Sequence, residues 1–440
     1  MSRRNGSRRG RPSGGRRGRR GPTRQPQGTP LAGQRFVVDV EDVAHGGHCV
    51  ARHDGRVVFV RHALPGEQVV VEVTSGTDRT SFLRADAVEV LRAAPQRREA
   101  PCPVAGPGGC GGCDWQHTDA AFGRELKARV VREQLRRLAG LDLPVTVEQV
   151  PGDEAGLRWR TRLELAVDDA GRAGLHPHRS HEVIPVTDCL IATEEVAGSG
   201  ALGSEGHSGV RSLDVAATST GEVVVTPRPS REPVPVVHEQ VELPGHTLDL
   251  AVDATGFWQV HPGAARTLVT AVVDGLRPRQ GELVTDLYAG VGLFAAELAR
   301  RVGPRGEVVA VEGDRRAAEH AAGNLAPVPW ARAEHADVTH WVAGEPDALT
   351  QSDLVVLDPP RTGAGKDVMA ALLAGRPRAV AYVACDPAAL ARDLATAHTL
   401  GYQVDSLRAY DLFPMTHHVE CVAVLTPTEG PPELEPLDPS

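Results

Sequence analysis

The stretch Asp286-Leu-Tyr-Ala-Gly290-Val-Gly292-Leu-Phe294 decides how the second half of this chain is read. It closes an apolar run, Leu283 to Tyr288, and opens an Ala- and Leu-rich one, Leu293 to Val302. Two glycines spaced G-x-G after a strand let the backbone approach a ligand closely, but the third glycine of a dinucleotide fingerprint is missing and Phe294 follows instead. The next apolar run ends in Glu312, an acidic residue suited to a ribose with free hydroxyls. Asp337 ends the one after, where it can accept from an adenine amino group. Glycines, ribose acid and adenine acid without a phosphate-binding glycine point to S-adenosylmethionine rather than NAD.

Outward from this stretch, strand-like and helix-like runs alternate. Val308 to Glu312 precedes Arg315 to Leu325, Leu354 to Asp358 precedes Asp367 to Ala374, and Val380 to Cys385 precedes Ala388 to Leu400. A closing pair of strands lies near Leu407 and Val422. This is the rhythm of a parallel, doubly wound sheet, whose ligands bind beyond the carboxyl ends of its strands. The polar residues fall there. In Asp358-Pro-Pro-Arg-Thr-Gly363 two prolines fix an extended turn and hold Asp358 and Arg361 over the sheet. Cys385 ends the fifth strand just before a helix, where the partial positive charge of the N-terminus predicts a thiolate. Glu420 leads into the last strand, after Phe413-Pro-Met-Thr-His-His-Val.

The chain of 440 residues has room for about three domains, and its 41% apolar and 24% charged residues suit a soluble protein with a real core. No run of about 18 apolar residues occurs, so no membrane-spanning helix is expected. The first thirty residues hold ten Arg and seven Gly with no Asp, Glu or Lys, so removing those ten charges from the net −9 leaves about −19 for the rest. They lack the apolar segment of a secretory signal and read as a disordered basic arm for a polyanion, or as a solubilising tail. Phe36 to Val40, Val57 to Val60 and Val69 to Val73 are β-branched runs between turn signals, which predicts a small oligonucleotide-binding type of barrel carrying Arg52, Arg56 and Arg61 for phosphate contacts. Asp119 to Gly140 has helical spacing, residues 158 to 193 alternate as strands, and the Gly-, Ser- and Thr-rich stretch 197 to 231 predicts loops and weak edge strands. The seven cysteines are too few for a disulfide scaffold. Cys102, Cys110 and Cys113 crowd into twelve residues, and without an export signal this points to metal binding or catalysis in a reducing compartment, the cytoplasm.

Phe257-Trp-Gln259, DLYAGVGLF, DPPRTG, YVACDPAALARD and FPMTHHVE stand in the order found in the RNA uracil-C5 methyltransferases, whose catalytic domain residues 256 to 425 resemble. Residues 47 to 67, GHCVARHDGRVVFVRHALPGE, resemble the TRAM domain of RNA-modifying proteins. Residues 110 to 117, CGGCDWQH, resemble the cysteine segment of iron–sulfur members of the same family. The resemblance implies Cys385 as nucleophile, Glu420 as base, and Gln259, Tyr288, Gly290, Glu312, Asp337 and Asp358 around S-adenosylmethionine and the target base. It also implies Cys102, Cys110, Cys113 and Cys189 as ligands of a [4Fe-4S] cluster, although four cysteines suit tetrahedral zinc as well. Three departures bear on cofactor affinity: His261 in place of an Asn, Ala289 where a Cys is common, and Leu293 where an Asn often contacts the cofactor.

The implied fold class is multidomain α/β plus β. It comprises an Arg/Gly-rich tail (1–33), an OB-like TRAM barrel binding RNA (34–94), a central mixed domain with the cysteine-ligated cluster (95–250), and a doubly wound, Rossmann-like methyltransferase sheet (251–440). The implied activity is methylation of C5 of a specific uridine, with 23S rRNA favoured over tRNA by the barrel and cysteine set, in a monomer with no membrane partner. A different RNA base methyltransferase and a non-catalytic ribosome-assembly factor are the alternatives. The residue types suit the chemistry. Uracil C5 attacks a methyl group poorly until a thiolate adds to C6, the C5 proton must then be removed, and the base must first leave its stack.

Overall fold

The computed structural model describes residues 28–344 and 346–428, so most of the basic arm lies outside the described residues. Strands β1 (Arg35–Val43), β2 (Cys49–His53), β3 (Arg56–Arg61), β4 (Gln68–Ser75) and β5 (Phe82–Arg92) close a barrel in the order β1-β2-β3-β5-β4. Alternation builds it: Val58, Val60, Val69, Val71, Val73, Leu83 and Ala85 are buried inside, and closure leaves no long unpaired edge. The barrel starts slightly earlier than its sequence suggests. Pro30 pairs with Thr77 and Leu31 packs on the barrel core, so these residues belong to it and not to the arm.

Helix α1 (Ala120–Gln134) is capped by Asp119, whose side chain accepts from the Phe122 N–H, and the chain leaves the following turn at Gly140 in the left-handed conformation. Next come β6 (Val147–Gln149), β7 (Arg162–Val167), β8 (Ala173–Leu175), β9 (Ile184–Pro185), the short α2 (Glu194–Ala197), β10 (Ser212–Ala217) and β11 (Val223–Arg228). Five of these strands form a sheet ordered β11-β10-β7-β8-β9. The stretch expected to be loops and weak edges therefore supplies an interior strand. Its glycines lie in the flanking turns, while Leu213, Val215 and Ala217 of β10 alternate into the core.

A hairpin of β12 (Val236–Leu243) and β13 (His246–Asp253) precedes the sheet that carries the chemistry. Its strands are β14 (Leu283–Leu287), β15 (Glu307–Glu312), β16 (Ala331–His335), β17 (Leu354–Leu357), β18 (Ala379–Ala384), β19 (Tyr402–Asp411) and β20 (Glu420–Pro427). Helices α3 (Ala264–Leu276), α4 (Leu293–Val302), α5 (Arg315–Leu325), α6 (Val338–Gly344), α7 (Pro346–Gln351), α8 (Gly365–Ala374) and α9 (Pro387–Thr399) are interleaved with them. The strand order is β16-β15-β14-β17-β18-β20-β19-β6, parallel except for β20. The winding reverses between β14 and β17, which opens a crevice at their carboxyl ends.

Two elements expected with the central region go with this sheet instead, the hairpin packed on it and β6 paired into it. Val237, Val241, Leu250 and Val252 of the hairpin are buried in its core, so a boundary at residue 251 would cut through β13. Val131 and Leu135 pack with Val147 in its second apolar layer, and β6 pairs along the outer side of β19. Among the described residues no helix is long and apolar enough to cross a membrane.

Candidate active site

A cleft of about 1330 Å³ opens at the crevice, and Cys385, Glu420 and all six expected cofactor residues line it. The turn after β14 forms its floor. Asp286, which opens the stretch, is fully buried beneath it, where Oδ2 accepts from the Ala295 N–H (2.9 Å) and pins the start of α4. Tyr288 (φ 61°) and Gly290 (φ 56°) make the sharp turn, and no atom stands within 4 Å of where a Gly290 side chain would begin. Both oxygens of Glu312 are engaged by backbone, with Oε2 accepting from the Gly290 N–H (2.8 Å) and Oε1 from the Asp314 N–H (2.6 Å). Asp337 sits exposed at the rim, where its Oδ1 accepts from the His340 N–H (3.0 Å). Gln259 follows the buried Trp258 on the opposite wall.

Strand register brings nucleophile and base together. Ala384 of β18 pairs with Cys421 of β20, and since the strands are antiparallel, Cys385 and Glu420 emerge side by side at one end of the sheet. Glu420 is 4% exposed and its Oε1 has no hydrogen-bond partner among the described residues. Burial, then the charge of Asp358, pushes its carboxyl well above the ordinary range, against the pull of Arg361. Asp358 itself is raised to about 7 by burial and by Glu312.

The expectation of a thiolate at Cys385 does not hold in this environment. Burial, Glu420 and Asp358 push the thiol up to about 12, with Arg361 the opposing charge, because desolvation beside two carboxylates outweighs the helix N-terminus. Asp358, Glu312 and Glu420 thus crowd negative charge around one cavity, and a sulfonium cation such as S-adenosylmethionine would relieve their repulsion. The donor set fits that group. Trp159, Phe413 and His418 add ring faces to the wall, with Phe413 edge-on to both Trp159 (6.1 Å) and His418 (5.8 Å).

Cys102, Cys110, Cys113 and Cys189 line a second cavity of about 300 Å³, which shares Gly111, Gly112 and Arg160 with the cleft. None of the four is in a disulfide. Burial raises Cys110 and Cys189, and takes Cys113 to about 12. The Gly112 N–H donates to Cys110 Sγ (3.4 Å) and Gln116 Nε2 to Cys113 Sγ (3.2 Å), the orienting contacts a thiolate ligand set uses. Among the described residues no three His, Cys, Asp or Glu side chains stand close enough to hold a single metal ion.

Residues 31–88 match the TRAM domain, and residues 348–428 match the tRNA (Uracil-5-)-methyltransferase family. An uncharacterized RNA methyltransferase of Streptomyces avermitilis is 47% identical over 90% of this chain and 99% of its own. The 23S rRNA (uracil(1939)-C(5))-methyltransferase RlmD of Pseudomonas putida is 32% identical over 92% of this chain and 96% of its own. The chain belongs to the RNA (uracil-C5)-methyltransferase family. It is an enzyme of RNA that uses S-adenosylmethionine. Its fold is similar to that of Pyrococcus abyssi tRNA (uracil-54, C5)-methyltransferase, solved with S-adenosyl-L-homocysteine, with a TM-score of 0.64, 22% identity, and coverage of 89% of this chain and 100% of that one.

Within this methyltransferase, the three sequence departures fall in different places. Ala289 and Leu293 line the cleft as small and apolar wall, whereas His261 is buried against Trp159 (6.1 Å), its pKa lowered to about 4 by burial. The barrel arginines singled out for phosphate are mostly committed elsewhere. Arg52 pairs with Glu41 (3.4 Å), Arg56 Nη1 donates to the Thr77 carbonyl (3.3 Å), and Arg61 is buried 3.7 Å from Asp114. Arg84 of the barrel and Arg179 of the central region were not visible as a pair in the sequence. Arg84 stacks on the exposed Phe82 ring (4.8 Å), its pKa is lowered by burial and then by Arg179, and neither arginine makes an ion pair among the described residues. Two unpaired guanidinium groups beside an aromatic face suit a nucleic-acid backbone and base.

Proposed function

We propose that this enzyme methylates C5 of a uridine in ribosomal RNA through a covalent bond between Cys385 Sγ and C6 of the base. The observation that carries the reading is the register that sets Cys385 beside Glu420 on the wall of the cleft. When bound, S-adenosylmethionine supplies an electrophilic methyl group, and Gln259, Tyr288, Gly290, Glu312, Asp337 and Asp358 are the residues we assign to holding it or the base. Cys385 adds to C6 as its proton passes to Asp358, the other carboxylate facing it, which leaves Glu420 free and makes the adjacent C5 nucleophilic toward the methyl group it takes up. Glu420 then removes the C5 proton, and the electrons of that bond restore the double bond as sulfur leaves. The target uridine enters flipped out of its stack, against the ring faces of Trp159, Phe413 and His418.

Ribosomal RNA is favoured by the likeness to RlmD along nearly the whole chain. We read the four cysteines as ligands of a [4Fe-4S] cluster with a structural role. All four line one cavity of about 300 Å³, and the CGGCDWQH segment resembles that of the family's iron–sulfur members, although zinc takes four such sulfurs as well. Anaerobically purified protein should be brown and contain iron; a colourless zinc protein would overturn that part. For the reaction, RNA carrying 5-fluorouridine should form a denaturation-resistant adduct through Cys385, because fluorine replaces the proton that Glu420 must remove. Mapping 5-methyluridine in rRNA from cells with and without the protein identifies the substrate, and an unchanged map would refute the rRNA assignment.

A further inference from the structure

The loop between β19 and β20, which delivers Glu420 to the cleft, is held by residues from a distant part of the chain. The backbone N–H groups of Asp114 and Trp115 both donate to the Met415 carbonyl, at 2.9 and 3.0 Å. Asp114 Oδ2 accepts from the His417 N–H (3.0 Å) and lies 2.6 Å from His417 Nδ1. Lys127 Nζ donates to the Phe413 carbonyl (2.9 Å). The Asp114 and Trp115 contacts come from the two residues directly after Cys113, so the wall of the cysteine cavity and this part of the clamp are one piece of chain, and Lys127 of α1 adds a second hold. The barrel closes the other side. A side chain at Gly47 would stand 2.9 Å from both Asp114 Cγ and His417 Cβ, and Arg61 Nη2 is 3.7 Å from Asp114 Oδ1. Met415 takes a left-handed conformation (φ 62°) inside this clamp, which a loop left to itself rarely adopts.

We infer that Asp114 is a positioning residue for Glu420: by tying His417 to the cysteine segment it fixes where the base stands, and so links the state of the cysteine cavity to turnover. The inference rests on the reading of Glu420 as the group that removes the C5 proton. If the base is displaced, Cys385 still adds and C5 still receives its methyl group, but the C5–H bond is not broken and sulfur cannot leave. The enzyme then accumulates bonded to methylated RNA.

The test compares wild type, Asp114→Ala, Asp114→Asn and Glu420→Gln as metal-loaded proteins with ordinary uridine RNA. It measures kcat, KM, metal content and the fraction of enzyme held as a denaturation-resistant adduct. Asp114→Ala should lower kcat about 10- to 100-fold, the cost of a misplacement near 1 Å, with KM little changed, metal retained, and adduct accumulating as in Glu420→Gln. Asp114→Asn keeps an oxygen for the His417 N–H and should recover most of the rate. Should Asp114→Ala fail to fold, His417→Ala, which loses the ring contact but keeps the backbone N–H bond, should show the same adduct accumulation with a smaller loss of kcat. Unchanged kcat in Asp114→Ala, a loss that only follows lost metal, or a loss without adduct while Glu420→Gln holds one would each overturn the inference. No adduct in Glu420→Gln would show that the assignment of the base is at fault.

Discussion

Cys385 and Glu420 leave neighbouring antiparallel strands at the same end of the sheet, because Ala384 pairs with Cys421 one position further in. Replacing the thiol removes the covalent step without touching the residues expected to hold the cofactor. Cys385→Ala should therefore lose methylation by at least about 10⁴-fold, the scale of removing a nucleophile. Equilibrium dialysis with labelled S-adenosylmethionine should give an affinity within about threefold of wild type, since no uniform binding contact is lost. Methylation surviving in that variant would reject the assignment.

Glu420 and its neighbour Asp358 set the pH dependence. Burial, and the charge of Asp358 on Glu420 and of Glu312 on Asp358, raise the Glu420 and Asp358 carboxyls, the latter to about 7. A base works in its ionised form, so a raised pKa moves the onset of activity upward. Single-turnover methylation should climb with pH through neutrality, where an unshifted carboxylate would already have given a plateau by about pH 5.5.

A buried ion pair anchors α1 to the catalytic sheet. Lys127 Nζ lies 2.5 Å from Asp411 Oδ1, and the two side chains are 1% and 3% exposed. Lys127→Ala leaves Asp411 without its counter-charge and should cost about 3–5 kcal/mol, read from denaturant midpoints. Replacing both residues by apolar ones of similar volume should cost much less.

Burial depresses His48, His117 and His261 to about 4, and His62 and His418 to about 3. The unfolded chain then binds more protons than the folded one between those values and about 6.5. Their contribution to stability is thus fully present above about 6.5 and lost as the pH falls toward 3–4. Denaturant midpoints should drop between pH 7.5 and pH 5, and a flat profile over that range would show that these rings stay accessible to protons.

Arg84 and Arg179 give the RNA-contact assignment its own measurement. Arg84→Ala and Arg179→Ala should each weaken RNA binding and flatten the slope of log affinity against log salt by roughly 0.7–0.9. Arg52→Ala, which breaks only the pair with Glu41, should change that slope much less.

The sheet and the barrel were legible because each repeats a short physical period. Glycines at Gly290 and Gly292, both with positive φ, mark the turn that opens the cleft, and alternating valines mark the barrel. The pieces that escaped are those whose place is set by distant partners. β6 has three residues, too few for a period, and joins the sheet only through Ala409, Tyr410 and Asp411. The thiol pKa of Cys385 followed from burial and from carboxylates at the ends of other strands, and Arg61 turned inward where Asp114, from the cysteine segment, faces it. Local sequence gives the residue type at each of these positions but not its neighbours.

The Lys127–Asp411 contact joins positions 284 apart. On the ribosome, the helix bearing Lys127 emerges long before the strand that neutralises it, and β6 waits equally long for β19. The amino-terminal barrel is free to fold early and can cover Phe122, Leu126 and Val130 of that helix, but the face carrying Ala128 and Val131 waits for the carboxyl-terminal sheet. Synthesis of this enzyme thus contains an interval in which one apolar face of the helix is bare, and a chain ended before Asp411 leaves that face and the Lys127 charge without their partners.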